Sequence, residues 1–383
     1  MSDAPLLLRA AQFLLAMSFV GVTAGVARSR SPAPSSASKT SVLPAPTGSY
    51  GVGVVAHTIT DRRRREIFTL DTSDVRQFPV RIYYPVGKGT CAPAPYFPPA
   101  LAEVYTAEFN LQPGFDRVVR AHACDDAPIV AGNNRFPIVL FSHGLGHTNF
   151  SYRAIIEELA SHGNVVVAID HTHGGRATHF PDGELVTRDN SRWFTGVDQQ
   201  RYVQATLEYP RYWAEDARLV IDMLGLASSA IQHRIRGRVD TGRLIYAGHS
   251  FGGITAMYAA MIDPRIKGAV NLDGLIAGRY PLPVTTDVPL LVLNSKERNE
   301  TQTYMRTARV VTVARTNHMT FSDFAWLHEQ AGVGPPPPVD MSGEQGIALT
   351  RRAIRLFLPC VFERKCGELD AMVREMKGAP PGV

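Results

Sequence analysis

The sequence predicts an α/β protein, with a mostly parallel central sheet and helices on both of its faces. Three observations predict it. Short apolar runs that suit strands buried on both faces recur along the chain, as in "FPIVLFS" and "NVVVAID". Segments of helical spacing alternate with them. The chain has 383 residues, 45% of them hydrophobic and 20% charged, enough to bury one large core.

The elements follow in order. Arg9 precedes an uncharged run, 10–27, that closes on Ala24, Gly25 and Ala27. This pattern fits a secretory signal cleaved near Ala24 or Ala27, and so a secreted or periplasmic protein. An uncleaved membrane anchor is the alternative, because the run approaches the minimum spanning length. Residues 28–49 are rich in Ser, Pro and Ala and are expected to form a disordered linker. Residues 50–383 are expected to fold as one domain. Arg62–Arg65 reads as a solvated turn, with a phospholipid-headgroup or membrane-surface role as the alternative. "VRIYYPV", 80–86, alternates as a strand does. Residues 87–135 are rich in Pro, Gly and Asn and read as a long excursion with one helix. Strands are expected at 136–142 and 164–170, with a helix between them at 151–162. Residues 174–211 read as an irregular loop and 212–226 as an amphipathic helix. Beyond residue 240, strands are expected at 244–247, 267–274, 288–295 and 308–314. Helices are expected at 254–260 and, behind a Ser342 cap, at 343–358.

The four cysteines, Cys91, Cys124, Cys360 and Cys366, lack the C-x-x-C spacing of a zinc or redox site. In an exported chain they suggest two disulfides. Cys360 with Cys366 and Cys91 with Cys124 is the simplest pairing, and the two other connectivities remain open. The net charge of +5 is modest, and no basic stripe with interleaved aromatics marks a nucleic-acid partner.

The stretch "IYAGHSFGGIT", 245–255, carries the chemistry. An apolar strand turns into an apolar helix through G-x-S-x-G, the signature of a nucleophile elbow at Ser250. A serine hydroxyl needs a base, and the base needs a carboxylate to orient it. Two histidines follow Ser250 in the chain. His318 stands just past the last strand, and His328 lies in a helical pattern, so His318 is the expected base. Asp273 and Glu297 both follow strands. Asp273, between an apolar strand and Gly274, is expected to be the more buried and so the triad acid. The negative oxygen of a tetrahedral intermediate needs backbone N–H donors. These are expected from Phe251, after the nucleophile, and from Leu145 in "HGLG".

"FSHGLG", "GHSFGG", "NLDG" and a histidine followed by "TFSDF" resemble the platelet-activating factor acetylhydrolase family, over about residues 50–330 and in the family's order. The resemblance implies the α/β-hydrolase fold with a Ser-Asp-His triad. It places Ser250, Asp273 and His318 as nucleophile, acid and base, with Leu145 and Phe251 as oxyanion donors, and settles Asp273 over Glu297. It also implies a serine esterase without metal or other cofactor, acting on short acyl chains at the sn-2 position of phospholipids or on other small esters, in transient contact with a lipid surface. "IDHTHGGRATHFPDG", 169–183, is similar to the bacterial branch instead.

Three other readings bear on the same residues. His171, His173 and His179 contain an H-x-H pair, but glycines stand where a metallohydrolase would continue its ligand set, so no metal is expected. A hydrolase fold kept as a binding module would lack part of the triad, and here each part has a candidate. Amide or thioester cleavage would use the same triad. Phe150, His171 and Trp213 are the candidate walls of a substrate pocket, with ordinary core as the alternative.

Overall fold

The computed structural model describes residues 41–89, 92–108, 114, 117, 119–188, 199–274, 287–296, 308–331 and 341–378. The strands, in chain order, are β1 (Ser41–Val42), β2 (Gly51–Arg65), β3 (Val75–Val86), β4 (Ala94–Pro95), β5 (Val119–Ala121), β6 (Cys124–Asp125) and β7 (Phe136–Ser142). They continue with β8 (Val165–Ile169), β9 (Ala177–His179), β10 (Leu185–Thr187), β11 (Val239–His249), β12 (Ala269–Leu272), β13 (Leu290–Ser295) and β14 (Ala308–Val313). The helices are α1 (Pro99–Glu108), α2 (Arg153–Ser161), α3 (Gln199–Gly225), α4 (Ala230–Arg234), α5 (Phe251–Ile262), α6 (Phe324–Ala331), α7 (Gly343–Glu363) and α8 (Gly367–Gly378).

Nine strands form one sheet in the order β14-β13-β12-β11-β7-β8-β3-β2-β6. Neighbours are parallel from β14 to β8, and β3 and β2 then pair antiparallel. The period of two along a strand sends side chains to opposite faces. On β7, Ile138 and Leu140 join the core under α3 and α5, whereas Val139 and Phe141 join the core under α2, α7 and α8. Both faces are apolar and both are covered, which is why these strands read as continuous hydrophobic runs. The parallel strands place their carboxyl ends together, and Ser142, His249 and Leu272 all stand at that edge.

Several expectations need correction. The linker expected to run to residue 49 is packed from Ser41 onward. Leu43 is buried, and Thr47 donates from its N–H and hydroxyl to Glu158 at 2.8 and 2.6 Å. Arg351 donates to the carbonyls of Ala45 and Pro44 at 3.0 and 2.7 Å. Residues 1–40, with the signal or anchor and the first part of the linker, lie outside the described residues. Arg62–Arg65 is solvated at Arg62, Arg63 and Arg65 as expected, but it ends β2 rather than forming a turn. Arg64 reaches inward to Asp61 and to the buried Asp216. Arg64 looked exposed because its acidic partners, Asp61, Glu215 and Asp216, lie outside the run. The segment 174–211 is not all loop, since it holds the β9–β10 hairpin and the first turns of α3, which continues through Pro210. The excursion 87–135 holds α1 and contributes β6 to the sheet edge. Cys360 and Cys366 form a disulfide. Cys124 is disulfide-bonded too, and Cys91 lies outside the described residues.

Candidate active site

Ser250 sits between β11 and α5 with φ 54° and ψ −118°, outside the regions ordinary residues prefer. Two flanking glycines make the turn sterically open. A Cβ on Gly252 would lie 2.2 Å from the Ser142 carbonyl oxygen, and one on Gly248 would lie 2.3 Å from the Gly252 carbonyl. The Ser250 N–H donates to Leu272 O at 2.8 Å, tying the elbow to the end of β12. Helix α5 begins at the next residue, so its N-terminal dipole points toward the serine.

Asp273 follows β12, also at a positive φ of 56°, and is fully buried. Its Oδ1 accepts the Ser295 N–H at 2.6 Å, and its Oδ2 accepts the Ser295 hydroxyl at 3.0 Å. Asn271 clamps the turn just beyond by binding both the N–H and the carbonyl of Gly274. His318 opens a 3-10 turn capped by Asn317, and its Nδ1 lies 2.6 Å from Asp273 Oδ2. A carboxylate only accepts, so Nδ1 carries the proton and Nε2 is left as the basic nitrogen. His318 also packs against His249, the neighbour of Ser250, with ring centroids 4.5 Å apart. The structure thus brings Ser250, Asp273 and His318 to one edge of the sheet. His328 lies on α6 beside Phe324, and Glu297 lies outside the described residues.

The loop after β7 lies against the serine. A Cβ on Gly144 would be 3.3 Å from Ser250 Cβ. Within this loop Gly144 N–H donates to the Tyr152 hydroxyl, Gly146 N–H to Gly174 O and His147 N–H to Gly144 O. The N–H groups of Leu145 and Phe251 have no acceptor among the described residues. His143 explains the aim of the first. Its Nε2 accepts the His171 N–H at 3.1 Å, so its Nδ1 is protonated and donates to Gly144 O at 2.8 Å. Burial holds its pKa below the usual value, which keeps the ring neutral. Gly144 O and Leu145 N–H belong to one trans peptide and point opposite ways, so fixing the carbonyl fixes the donor.

Behind this edge lies a buried polar cluster that sequence reading missed. Asp216 accepts from Arg76 (2.6 and 3.1 Å), from Arg64 (2.6 Å) and from His171 Nδ1 (2.8 Å). With Nδ1 protonated, His171 Nε2 accepts the Ser142 hydroxyl at 2.7 Å. Burial lowers the pKa of His171 to about 3. The cluster's partners are far apart in sequence, so no local pattern announces it.

The three pocket candidates fare differently from the triad. His171 and Trp213 are fully buried and stacked on one another at 4.1 Å, and Trp213 packs edge-on against Phe251. They lie behind Phe251 rather than on an open wall. Phe150 belongs to a separate cluster with Phe97 and Phe324, under the Arg81 guanidinium. The structure does not bring it together with Trp213. Apolar type and chain proximity cannot tell a lining residue from the layer behind it. Among the histidines of the H-x-H stretch, both ring nitrogens of His171 are engaged, and His179 Nδ1 faces Arg81 at 3.4 Å.

Residues 139–379 match the alpha/beta hydrolase family. The chain belongs to that family. Its first part, residues 35–200, matches a second family described as platelet-activating factor acetylhydrolase, isoform II. A platelet-activating factor acetylhydrolase of Canis lupus familiaris is 25% identical over 229 residues, which is 52% of this chain and 51% of the relative. A probable 1-alkyl-2-acetylglycerophosphocholine esterase of Arthroderma benhamiae is 27% identical over 255 residues, covering 62% and 60%. The chain spans about half to three fifths of the length of these curated relatives. Among solved structures, a ferulic acid esterase from Streptomyces cinnamoneus aligns with a TM-score of 0.73 at 26% identity, covering 87% of this chain and 96% of that one. The sheet, its helices and the elbow are those of an α/β-hydrolase fold.

Proposed function

We propose that this chain is a serine carboxylic-ester hydrolase working through an acyl-enzyme. The observation that carries the reading is the 2.6 Å contact of His318 Nδ1 with buried Asp273, beside an elbow serine against which the 143–146 loop lies. In this mechanism His318 Nε2 takes the Ser250 proton as the hydroxyl oxygen attacks the ester carbonyl. Asp273 stabilises the imidazolium and keeps its tautomer. The N–H groups of Leu145 and Phe251 donate to the developing oxyanion. His318 then protonates the leaving alcohol, and a water activated by the same nitrogen hydrolyses the acyl-Ser250 ester. No step calls for a metal or other cofactor.

The acyl group we assign is short, about two to six carbons. Phe68, Tyr209 and Trp213 are buried against one another behind Phe251, so the wall on that side is filled. Small esters, among them phospholipids with a short sn-2 chain, fit this reading, and so does transient contact with a lipid surface. The solved relative named a ferulic acid esterase argues for a second arm, a small aromatic acyl ester. We further place the protein outside the cytoplasm after removal of residues near 1–27, with one catalytic domain that includes residues 41–49 as well as those from 50 onward.

The test is labelling by a fluorophosphonate, followed by hydrolysis of p-nitrophenyl esters of increasing length, an sn-2 acetyl phospholipid and methyl ferulate. Labelling confined to Ser250 and lost in Ser250→Ala is expected, with kcat in that variant down by about 10⁴ to 10⁶. A Ser250→Ala variant that retains a tenth of the activity refutes the assignment. A rate that keeps climbing through long-chain esters refutes the short pocket.

A further inference from the structure

Two side chains outside the triad connect its halves. Tyr152 ends the 3-10 turn Asn149–Tyr152 ahead of α2, and His249 immediately precedes Ser250. Both are fully buried. His249 Nε2 lies 2.8 Å from the backbone oxygen of His318, and His249 Nδ1 lies 2.8 Å from the Tyr152 hydroxyl. The Tyr152 hydroxyl lies 3.0 Å from the Gly144 nitrogen.

One arrangement of protons satisfies all three contacts with a neutral ring. A carbonyl oxygen only accepts, so His249 carries its proton on Nε2 and leaves Nδ1 as an acceptor. The Tyr152 hydroxyl must then donate to Nδ1. Its oxygen in turn accepts the Gly144 N–H. The order Gly144 N–H to Tyr152 O–H to His249, and His249 Nε2–H to His318 O, runs without a break from the oxyanion loop to the base loop. Burial raises the pKa of the Tyr152 phenol and holds His249 well below the usual histidine value. Both groups therefore keep these proton states through the neutral range.

Resting on the ester-hydrolase reading above, we propose that Tyr152 and His249 are positioning residues, a hydrogen-bond chain of fixed direction that holds the His318 loop in register with the Leu145 donor. The chain engages the Gly144 amide, which would otherwise compete with that of Leu145 for the oxyanion. It grips His318 through the backbone, leaving the ring to Asp273 and Ser250. A misplacement of about 1 Å at either end is enough to cost on the order of 10²-fold in rate.

The experiment uses the full chain and the variants Tyr152→Phe, His249→Gln, His249→Phe and Tyr152→Phe/His249→Phe. Assays follow p-nitrophenyl butyrate hydrolysis, fluorophosphonate labelling per folded molecule, and the nitrogen-15 spectrum of His249. Tyr152→Phe is expected to lower kcat and the labelling rate constant about 10- to 100-fold, with KM changed less than about threefold. Glutamine supplies both a donor and an acceptor, so His249→Gln should recover most of the loss seen in His249→Phe. The double variant should be no worse than about twofold below His249→Phe, because one broken chain cannot be broken twice. The wild-type spectrum should show a neutral ring protonated at Nε2.

Tyr152→Phe at the wild-type kcat and labelling rate overturns the proposal. So do losses that multiply in the double variant, or a Tyr152→Phe loss that is wholly a lower count of labelled sites at an unchanged rate per site. A His249 ring protonated at Nδ1 overturns it as well. A wild-type protein unlabelled at Ser250 defeats the ester-hydrolase reading instead, while the spectrum still reports on the chain.

Discussion

Replacing Asp273 by Asn tests the site most sharply, because the surroundings dictate how the amide must sit. Asp273 Oδ1 receives the Ser295 N–H at 2.6 Å, a backbone donor that cannot turn away. An amide nitrogen placed there would set donor against donor. The Asn oxygen therefore takes that position, and its NH₂ takes the place of Oδ2, toward His318 Nδ1, now 2.6 Å away. His318 satisfies this donor only by moving its proton from Nδ1 to Nε2. In that tautomer Nε2 has no lone pair for the Ser250 proton. The cost is a wrong tautomer in an intact fold, about 10⁴ in kcat, or roughly 5.5 kcal/mol of transition-state stabilisation. Steady-state kinetics on p-nitrophenyl butyrate measures it, with a melting curve to confirm the fold. KM should move little. A loss below about tenfold would show that His318 is not oriented by Asp273, and would return the acid's role to Glu297 or to no carboxylate.

Three further predictions follow from the packing. Trp213→Ala should remove about 3–5 kcal/mol of stability and lower the melting temperature by roughly 5 °C, because the ring is fully buried against His171 and Phe251; a calorimetric shift under about 2 °C contradicts that. Gly252→Ala should fail to give active protein, since the new Cβ meets the Ser142 carbonyl at 2.2 Å and both partners are backbone; a soluble variant of normal kcat refutes the close approach. Asp323 is fully buried, its Oδ2 accepts from Tyr96 and Ala154, and burial raises its pKa to about 7. Between the ordinary carboxylate range and pH 7 the folded state holds a proton that the unfolded chain has released, so this group's contribution falls as pH rises through that window and stays low above it. Asp323→Asn should therefore gain stability relative to wild type at pH 8 but not at pH 4 by urea unfolding, and an equal effect at both pH values contradicts the assignment.

The sequence made some features legible and hid others for physical reasons. The parallel strands were readable because burial on both faces leaves an unbroken apolar run, as in Val165–Ile169. Ser250, Asp273 and His318 were readable because each stands just past a strand, where chain order alone delivers it to one edge of the sheet. The Arg64–Arg76–Asp216–His171 cluster was not, because its members come from β2, β3, α3 and the loop after β8. Tyr152 was hidden for a different reason. In "SYRAII" its ring joins the apolar face, and only its hydroxyl, which periodicity does not register, reaches Gly144 and His249. Trp213 and Phe150 show the converse: their hydrophobic character was read correctly, but the layer each belongs to is decided by tertiary contacts.

The packed segment Pro44–Thr47 sets how far the amino end can be trimmed. A protease that removes the segment strips Arg351 of two carbonyl acceptors and Glu158 of both Thr47 donors. These are buried charges on α7 and α2, and a buried charge short of partners is costly. Loss of this segment would therefore be felt by an arginine more than three hundred residues downstream, so processing at one end is policed by a helix near the other.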